Sequence, residues 1–146
     1  MKNITNKKQC FSDFVIAVHS LVYLAHKKTF ISSKELSENV NANAVRIRSV
    51  LSLFIKQKWI EVQKGQNGGY KLLVSSENIT VDLVLKIMDL DLINYSWSSG
   101  NMELECKISK NISQYMHSLV YLLNQNAMQL LSTVTISSIE KKLTTK

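Results

Sequence analysis

Lys64-Gly65-Gln66-Asn67-Gly68-Gly69-Tyr70 is the stretch that decides the fold. The 146 residues hold no proline and only four glycines, and three of the four fall inside these seven positions. Glycine serves where the backbone takes positive φ or passes close to another group, so a tight loop is built here. On either side the sequence alternates, with Ile60-Glu61-Val62-Gln63 before and Tyr70-Lys71-Leu72 after. Apolar and polar residues then fall on opposite faces, as in half-buried strands. The spacing predicts a β-hairpin with a long, polar, basic tip. A basic helical stretch runs directly into it, and that pairing predicts a winged helix-turn-helix.

The upstream sequence fits. Phe14, Ala17, Val18, Leu21 and Ala25 recur at three and four, which predicts a first helix over Phe11–Lys27 with Lys27-Lys28 at its negative end. Ser32 and Glu35 fit a capping box, and Ile31 with Leu36 fits a hydrophobic staple, so a short second helix should run from about Ser33 to Asn39. Asn41-Ala42-Asn43 supplies a turn and a cap. A third helix, about Ala44–Lys58, points Ile47, Val50, Leu51 and Phe54 inward. At about 100° per residue, Val45, Ser49 and Ser52 centre the opposite face, with Arg46 and Arg48 on its flanks. That face carries no acid. A short helix, a tight turn and a basic helix with an exposed N-terminus is the arrangement that enters a DNA major groove.

Downstream of the hairpin, Thr80 is expected to cap a fourth helix over about Val81–Asp89, with Leu83, Val84, Ile87 and Met88 inward. Leu92–Glu105 is irregular and carries Tyr95, Trp97 and Gly100. Ile112, Met116, Leu119, Leu123, Asn126 and Leu130 then step at four and three along a helix of about 22 residues, widened by Leu122, Ala127 and Leu131. So apolar a helix beyond a complete wing needs a second surface to bury it, and an identical helix from another subunit supplies one. Val134–Leu143 reads as a last short helix packing near the first. The expected architecture is mainly α with a small β-hairpin: a winged helix-turn-helix plus a long dimerisation helix. Its expected division is 1–91 for nucleic-acid binding, 92–107 as an effector or sensor loop, and 108–146 for the dimerisation and C-terminal helices.

Charge follows the same division. Residues 1–75 carry twelve Lys/Arg against four Asp/Glu, or +8, and residues 76–146 carry six against seven, or −1. An excess confined to the hairpin half points to a polyanionic partner. Phe14–Ala25 is too short to span a bilayer and lacks a cleavage site after it, so the polar, basic start, Met1–Cys10, is not read as part of a signal peptide. Two cysteines far apart, Cys10 and Cys106, make no secreted disulfide framework, and a cytoplasmic protein without membrane contact is expected.

With these residues placed, the chain resembles the Rrf-two-type (BadM-type) winged-helix transcription regulators of bacteria over about Phe14 to Ile139. The resemblance is carried by Ala17-Val18-His19-Ser20-Leu21-Val22-Tyr23-Leu24-Ala25, Ser32-Ser33-Lys34-Glu35-Leu36-Ser37-Glu38, Arg46 and Leu51. It continues through Lys64–Leu72, Ile79-Thr80 and Thr135-Ile136-Ser137-Ser138-Ile139. It implies a homodimer that reads a roughly palindromic operator in double-stranded DNA, commonly as a repressor. The family's best-known branch holds an iron–sulfur cluster on three cysteines after the fourth helix. Here that loop offers only Cys106, so no cofactor is expected. The sequence around Cys106 resembles members without the cluster, which answer to thiol chemistry or small molecules.

The candidate DNA-facing residues are Ser32, Ser33, Asn43, Val45, Arg46, Arg48, Ser49 and Ser52 on the helix-turn-helix, and Lys64, Gln66, Asn67 and Gly68 on the wing. Arginine can bond guanine in bidentate fashion, and valine can meet a thymine methyl. Lys64 stands where the family usually has arginine before the first wing glycine, and lysine suits a narrow minor groove less well. Cys106 is the candidate redox sensor: a helix N-terminus favours its thiolate, whereas Glu103 and Glu105 oppose it. The candidate dimer interface is Ile112, Met116, Leu119, Leu123, Ala127 and Leu130. Trp59, Trp97, Tyr95 and Tyr115 are candidates to line an effector pocket, with packing the stronger reading for Trp59. No histidine pair has metal-ligand spacing, and no nucleophile elbow or phosphate-binding glycine loop argues for an enzyme. The remaining alternative is a winged module that binds RNA or protein, which a shallow salt dependence would reveal.

Overall fold

The computed structural model describes residues 8–145. Of the expected polar start, Met1–Lys7 lies outside them. The order of elements is α1 (Phe11–Lys27), α2 (Ser33–Val40), α3 (Ala44–Lys56), β1 (Ile60–Gln63), β2 (Gly69–Leu72), a 3-10 turn at Ser76–Asn78, α4 (Val81–Met88), α5 (Lys107–Leu131) and α6 (Ile136–Thr144). The winged helix-turn-helix with a long late helix is therefore present. Among the described residues no helix is long and apolar enough to cross a membrane.

One core joins α1 to α4, the hairpin base and α6. Ala17, Leu21 and Leu24 of α1 meet Leu36, then Ile47, Val50, Leu51 and Phe54 of α3, all fully or almost fully buried. The inward stripe expected for α3 is the one observed. Fully burying each such side chain is worth about 1.5–3 kcal/mol, which makes this layer the main source of stability. On α4 the phase differs from expectation. Val81, Val84, Leu85 and Met88 are buried, whereas Leu83 and Ile87 are only half-buried. The reason lies in the helix start. Val81 N–H donates to Val134 C=O at 2.9 Å, and an isolated bridge pairs Thr80 with Thr135, which turns Val81 and Leu85 inward. Thr80 occupies the N-cap without accepting a cap bond, and its hydroxyl donates to Asp82.

The capping box expected at α2 is half formed. Ser32 Oγ accepts from Glu35 N–H at 3.1 Å, but the Glu35 carboxylate turns away to accept from Tyr23 OH at 2.7 Å. Glu35 thus ties α2 to α1 rather than closing its own first turn. α6 returns to α1 as expected, with Ile136 in the core and His26 Nδ1 3.0 Å from the Glu140 carboxylate.

Ser20 is the exception within the core. It is fully buried on α1, and its hydroxyl finds no partner among the described residues. An unsatisfied buried hydroxyl costs more than the apolar group that could replace it. Ser20→Ala is expected to leave stability unchanged or raise it by up to about 1 kcal/mol in denaturant unfolding. A clear loss would show that the hydroxyl is satisfied in solution.

Candidate nucleic-acid interface

The wing is held on three sides. β1 and β2 pair antiparallel in the register Ile60↔Leu72 to Gln63↔Gly69. Tyr70 also exchanges both backbone bonds with Ile31, at 2.8 and 2.9 Å, an isolated bridge that ties the residue before the α2 N-cap to β2. The hairpin and the helix-turn-helix therefore share one backbone ladder. Gly69, at φ +148°, passes so close that a Cβ would sit 2.0 Å from Ile31 O. Gly68 crowds the Gln63 carbonyl equally, while Gly65, at φ +106°, meets nothing. Ile60 and Tyr70 face the core, whereas Val62, opposite Tyr70 in the register, is exposed. Lys64, Gln66 and Asn67 stand exposed at the tip, with Gly68 half-buried behind them.

α3 is capped by Asn43, whose Oδ1 accepts from Val45 N–H at 2.8 Å. Val45 is 68% exposed, an apolar side chain in open solvent at the first turn. Arg48 and Ser49 are exposed beside it, and Ser52 is half-exposed with its hydroxyl on Ser49 C=O. Arg48 forms no ion pair or side-chain hydrogen bond among the described residues, so its five donors face solvent. Ser32 and Ser33 lie at the start of α2, exposed and half-exposed.

Arg46 behaves differently. Its Nε donates to Asp13 Oδ1 at 2.8 Å, and its Nη2 donates to Ser12 Oγ at 2.5 Å and lies 3.6 Å from Cys10 Sγ. The bidentate edge expected to meet a guanine is thus occupied by the N-terminus of α1. Asp13 is almost buried, and its other oxygen accepts from Cys10 N–H at 3.1 Å and from the Cys10 thiol at 3.3 Å. Burial pushes the Asp13 carboxyl up, but the bonds from Arg46 and Cys10 outweigh it and hold the group below the usual carboxylate range. The same Asp13 raises the Arg46 guanidinium. Sequence reasoning missed this cluster. The three-residue spacing from Cys10 to Asp13 could have suggested an N-terminal cap, but the reach to α3 is set by how the helices cross.

α5 buries no residue completely. Met116 and Leu119 are 39% and 37% exposed, Leu123 53% and Leu130 66%, while Ile112 and Ala127 are half-buried. The loop before α5 lies along it. Asn124 bonds the backbone N–H and C=O of Ile93 at 3.0 and 2.9 Å, and Asn101 N–H donates to Ser109 Oγ at 2.7 Å. The four aromatics proposed for one effector pocket are not gathered. Trp59 packs on Phe54 with ring centres 5.7 Å apart, and Tyr115 projects from α5. Tyr95 stacks on His117 at 5.2 Å in a hollow of about 380 Å³, and with Trp97 borders a smaller apolar one beside Met116. Cys106 is the exposed N-cap of α5, and its thiol makes no cap bond.

Comparison with known proteins agrees with this geometry. The model of the Rrf2 family, described as an iron-dependent transcriptional regulator, matches residues 11–142. A solved structure described as that of a transcriptional regulator from Lactobacillus plantarum superposes with a TM-score of 0.77 at 26% identity, over 91% of this chain and 90% of that one. IscR from T. potens gives 0.68 at 14% identity, over 92% and 88%. CymR, the global cysteine regulator of B. subtilis, gives 0.64 at 13% identity, over 92% and 97%. The last two likenesses concern the fold. No curated protein sequence matches the chain.

The donors present do not suit the iron named in the family's description. Among the described residues no three His, Cys, Asp or Glu side chains gather as a metal site requires. The loop before α5 holds Cys106 as its single thiol, whereas a cluster takes four protein ligands, or three with a substitute. The residues of this chain do not fit an iron–sulfur cluster.

Proposed function

The chain belongs to the Rrf2 family of transcriptional regulators, and on that premise we propose that it is a cytoplasmic, homodimeric repressor of a near-palindromic DNA operator. The observation that carries this reading is the outward face of α3. An exposed valine stands there between two serines and an arginine that has no partner among the described residues, with no acid on the face. Such a face costs solvation energy in isolation and matches the donor, acceptor and methyl pattern of a major groove.

Val45, Arg48, Ser49 and Ser52 meet base edges in this reading. Ser32, Ser33 and Asn43 meet phosphates at the helix starts, and Lys64, Gln66, Asn67 and Gly68 meet the neighbouring backbone or minor groove. Arg48 takes the base-reading role expected of Arg46. Ile112, Met116, Leu119, Leu123, Ala127 and Leu130 join two copies through α5. The loop 92–107, with Cys106 exposed at its end, receives an oxidant or small-molecule signal.

Selecting bound sequences from random duplex, with and without reducing agent, tests symmetry, specificity and thiol control together. Arg48→Ala is expected to lose roughly 1–3 kcal/mol on the selected operator and far less on random duplex. Unchanged operator affinity in a gel shift would remove Arg48 from the interface. A half-site without symmetry would remove the dimeric reading of the operator.

A further inference from the structure

Arg46 is a cation on the recognition helix whose Nε and Nη2 are already bonded within the subunit. A guanidinium has five N–H donors in a planar fork, and the pair on Nε and Nη2 forms one of its bidentate edges. In this chain that edge is turned toward α1, onto Asp13 Oδ1 and Ser12 Oγ. Nη1 alone lacks a partner among the described residues. The Asp13 side chain is 10% exposed and that of Arg46 is 41% exposed, so the acid is sheltered behind the base it neutralises. Asp13 is anchored in turn by Cys10 N–H and is not free to swing away. At about 100° per residue, Arg46 lies further than Arg48 from the centre of the outward face, on the side toward the α1 start.

We propose that Asp13 is a specificity-determining positioning residue that acts through Arg46, cancelling its charge and holding its bidentate edge away from DNA. The inference rests on the DNA-binding reading above. A free arginine at this place would add affinity for any duplex, because phosphates are everywhere and each one neutralised strengthens binding regardless of sequence. Specificity is a difference of affinities, and restraining an indiscriminate cation raises that difference without any new base contact. The side chains that read bases, centred on Val45 and Arg48, are untouched by the restraint.

Asp13→Asn keeps the shape and the cap at Cys10 but removes the charge. It is expected to raise affinity for random duplex about 3- to 10-fold near 50 mM salt and to steepen the salt slope by about 0.9, one additional phosphate. Operator affinity should rise less, so the ratio of operator to random binding falls. Arg46→Ala alone is expected to change random-duplex binding less than twofold, and the Asp13→Asn/Arg46→Ala pair should return to the wild-type value. That cycle separates release of Arg46 from simple loss of a repelling carboxylate, because the latter gain would persist in the double variant. Should Asp13→Asn fail to fold by circular dichroism, Ser12→Ala removes the second anchor without touching the buried acid. It should move random binding in the same direction by a smaller factor. Folded variants with unchanged or weakened random-duplex binding would overturn the proposal, as would a gain that survives Arg46→Ala. A wild-type protein that ignores duplex in dilute buffer would instead overturn the DNA-binding reading itself.

Discussion

Leu119→Glu/Leu123→Glu is expected to convert the purified protein from a dimer into a folded monomer and to lower operator affinity by about 100-fold or more. Both side chains sit in the middle of α5 and are already half in solvent, so the charges disturb no core within the subunit. The buried residues belong to α1–α4, the loops and strands of the helix-turn-helix and wing, and α6. Far-UV circular dichroism should therefore be retained. Between two copies the outcome is different, because four carboxylates would face one another across an apolar seam and lose their water. Once the pair separates, each winged unit must bind its half-site alone. Binding of the second half-site then no longer benefits from the millimolar effective concentration that a tethered partner provides. Sedimentation at micromolar concentration and gel shift on whole and half operators are the measurements. A variant that stays dimeric would show that the pairing surface lies elsewhere.

Gly69→Ala is expected to lower stability by about 3 kcal/mol and the thermal midpoint by roughly 10 °C. The new methyl would lie 2.0 Å from Ile31 O and 2.4 Å from Ile31 C, both backbone atoms that no rotamer change can move. Relief requires opening the Ile31–Tyr70 bridge, which frees two N–H and two C=O groups and uncouples Tyr70 from the core. Because Ile31 leads into α2, the damage should spread from the wing to the helix-turn-helix and weaken binding beyond the loss of wing contacts. Gly65→Ala is the control. Its φ of +106° is unfavourable for alanine, but nothing lies within 4 Å, so only the local strain of about 1 kcal/mol applies. Thermal unfolding monitored by Trp59 fluorescence distinguishes the two, and equal midpoints would refute the close-packing account.

Local rules carried the sequence reading a long way. Three- and four-residue spacing located α1 and the inward face of α3, and the glycine cluster located the hairpin, because these are set by residues adjacent in sequence. Failures came where distant segments meet. The phase of α4 follows from Val81 bonding Val134, and Glu35 abandons its capping box for Tyr23. The bond of Arg46 to Asp13 was not legible, since Asp13 approaches it from another helix. Trp59 was already set apart by its place before β1, but Tyr115 could not be sorted from Tyr95 and Trp97 without knowing which elements touch. Propensity and pattern say where a side chain stands on its own element, and tertiary packing says what it is free to do.

The path of the chain around α5 has a further consequence. Leu92 and Met128 are packed against the body, and the chain between them is an excursion outward along an irregular path and back as a helix. Asn124 fastens the outgoing leg to the returning one near its root, and Asn101 with Ser109 fastens them near its far end. The two legs form a braced strut rather than a helix trailing a slack tether. If two copies join through α5 as proposed, a displacement of the outgoing leg would be shared with the helix at both fastenings and so with the surfaces the pair carries.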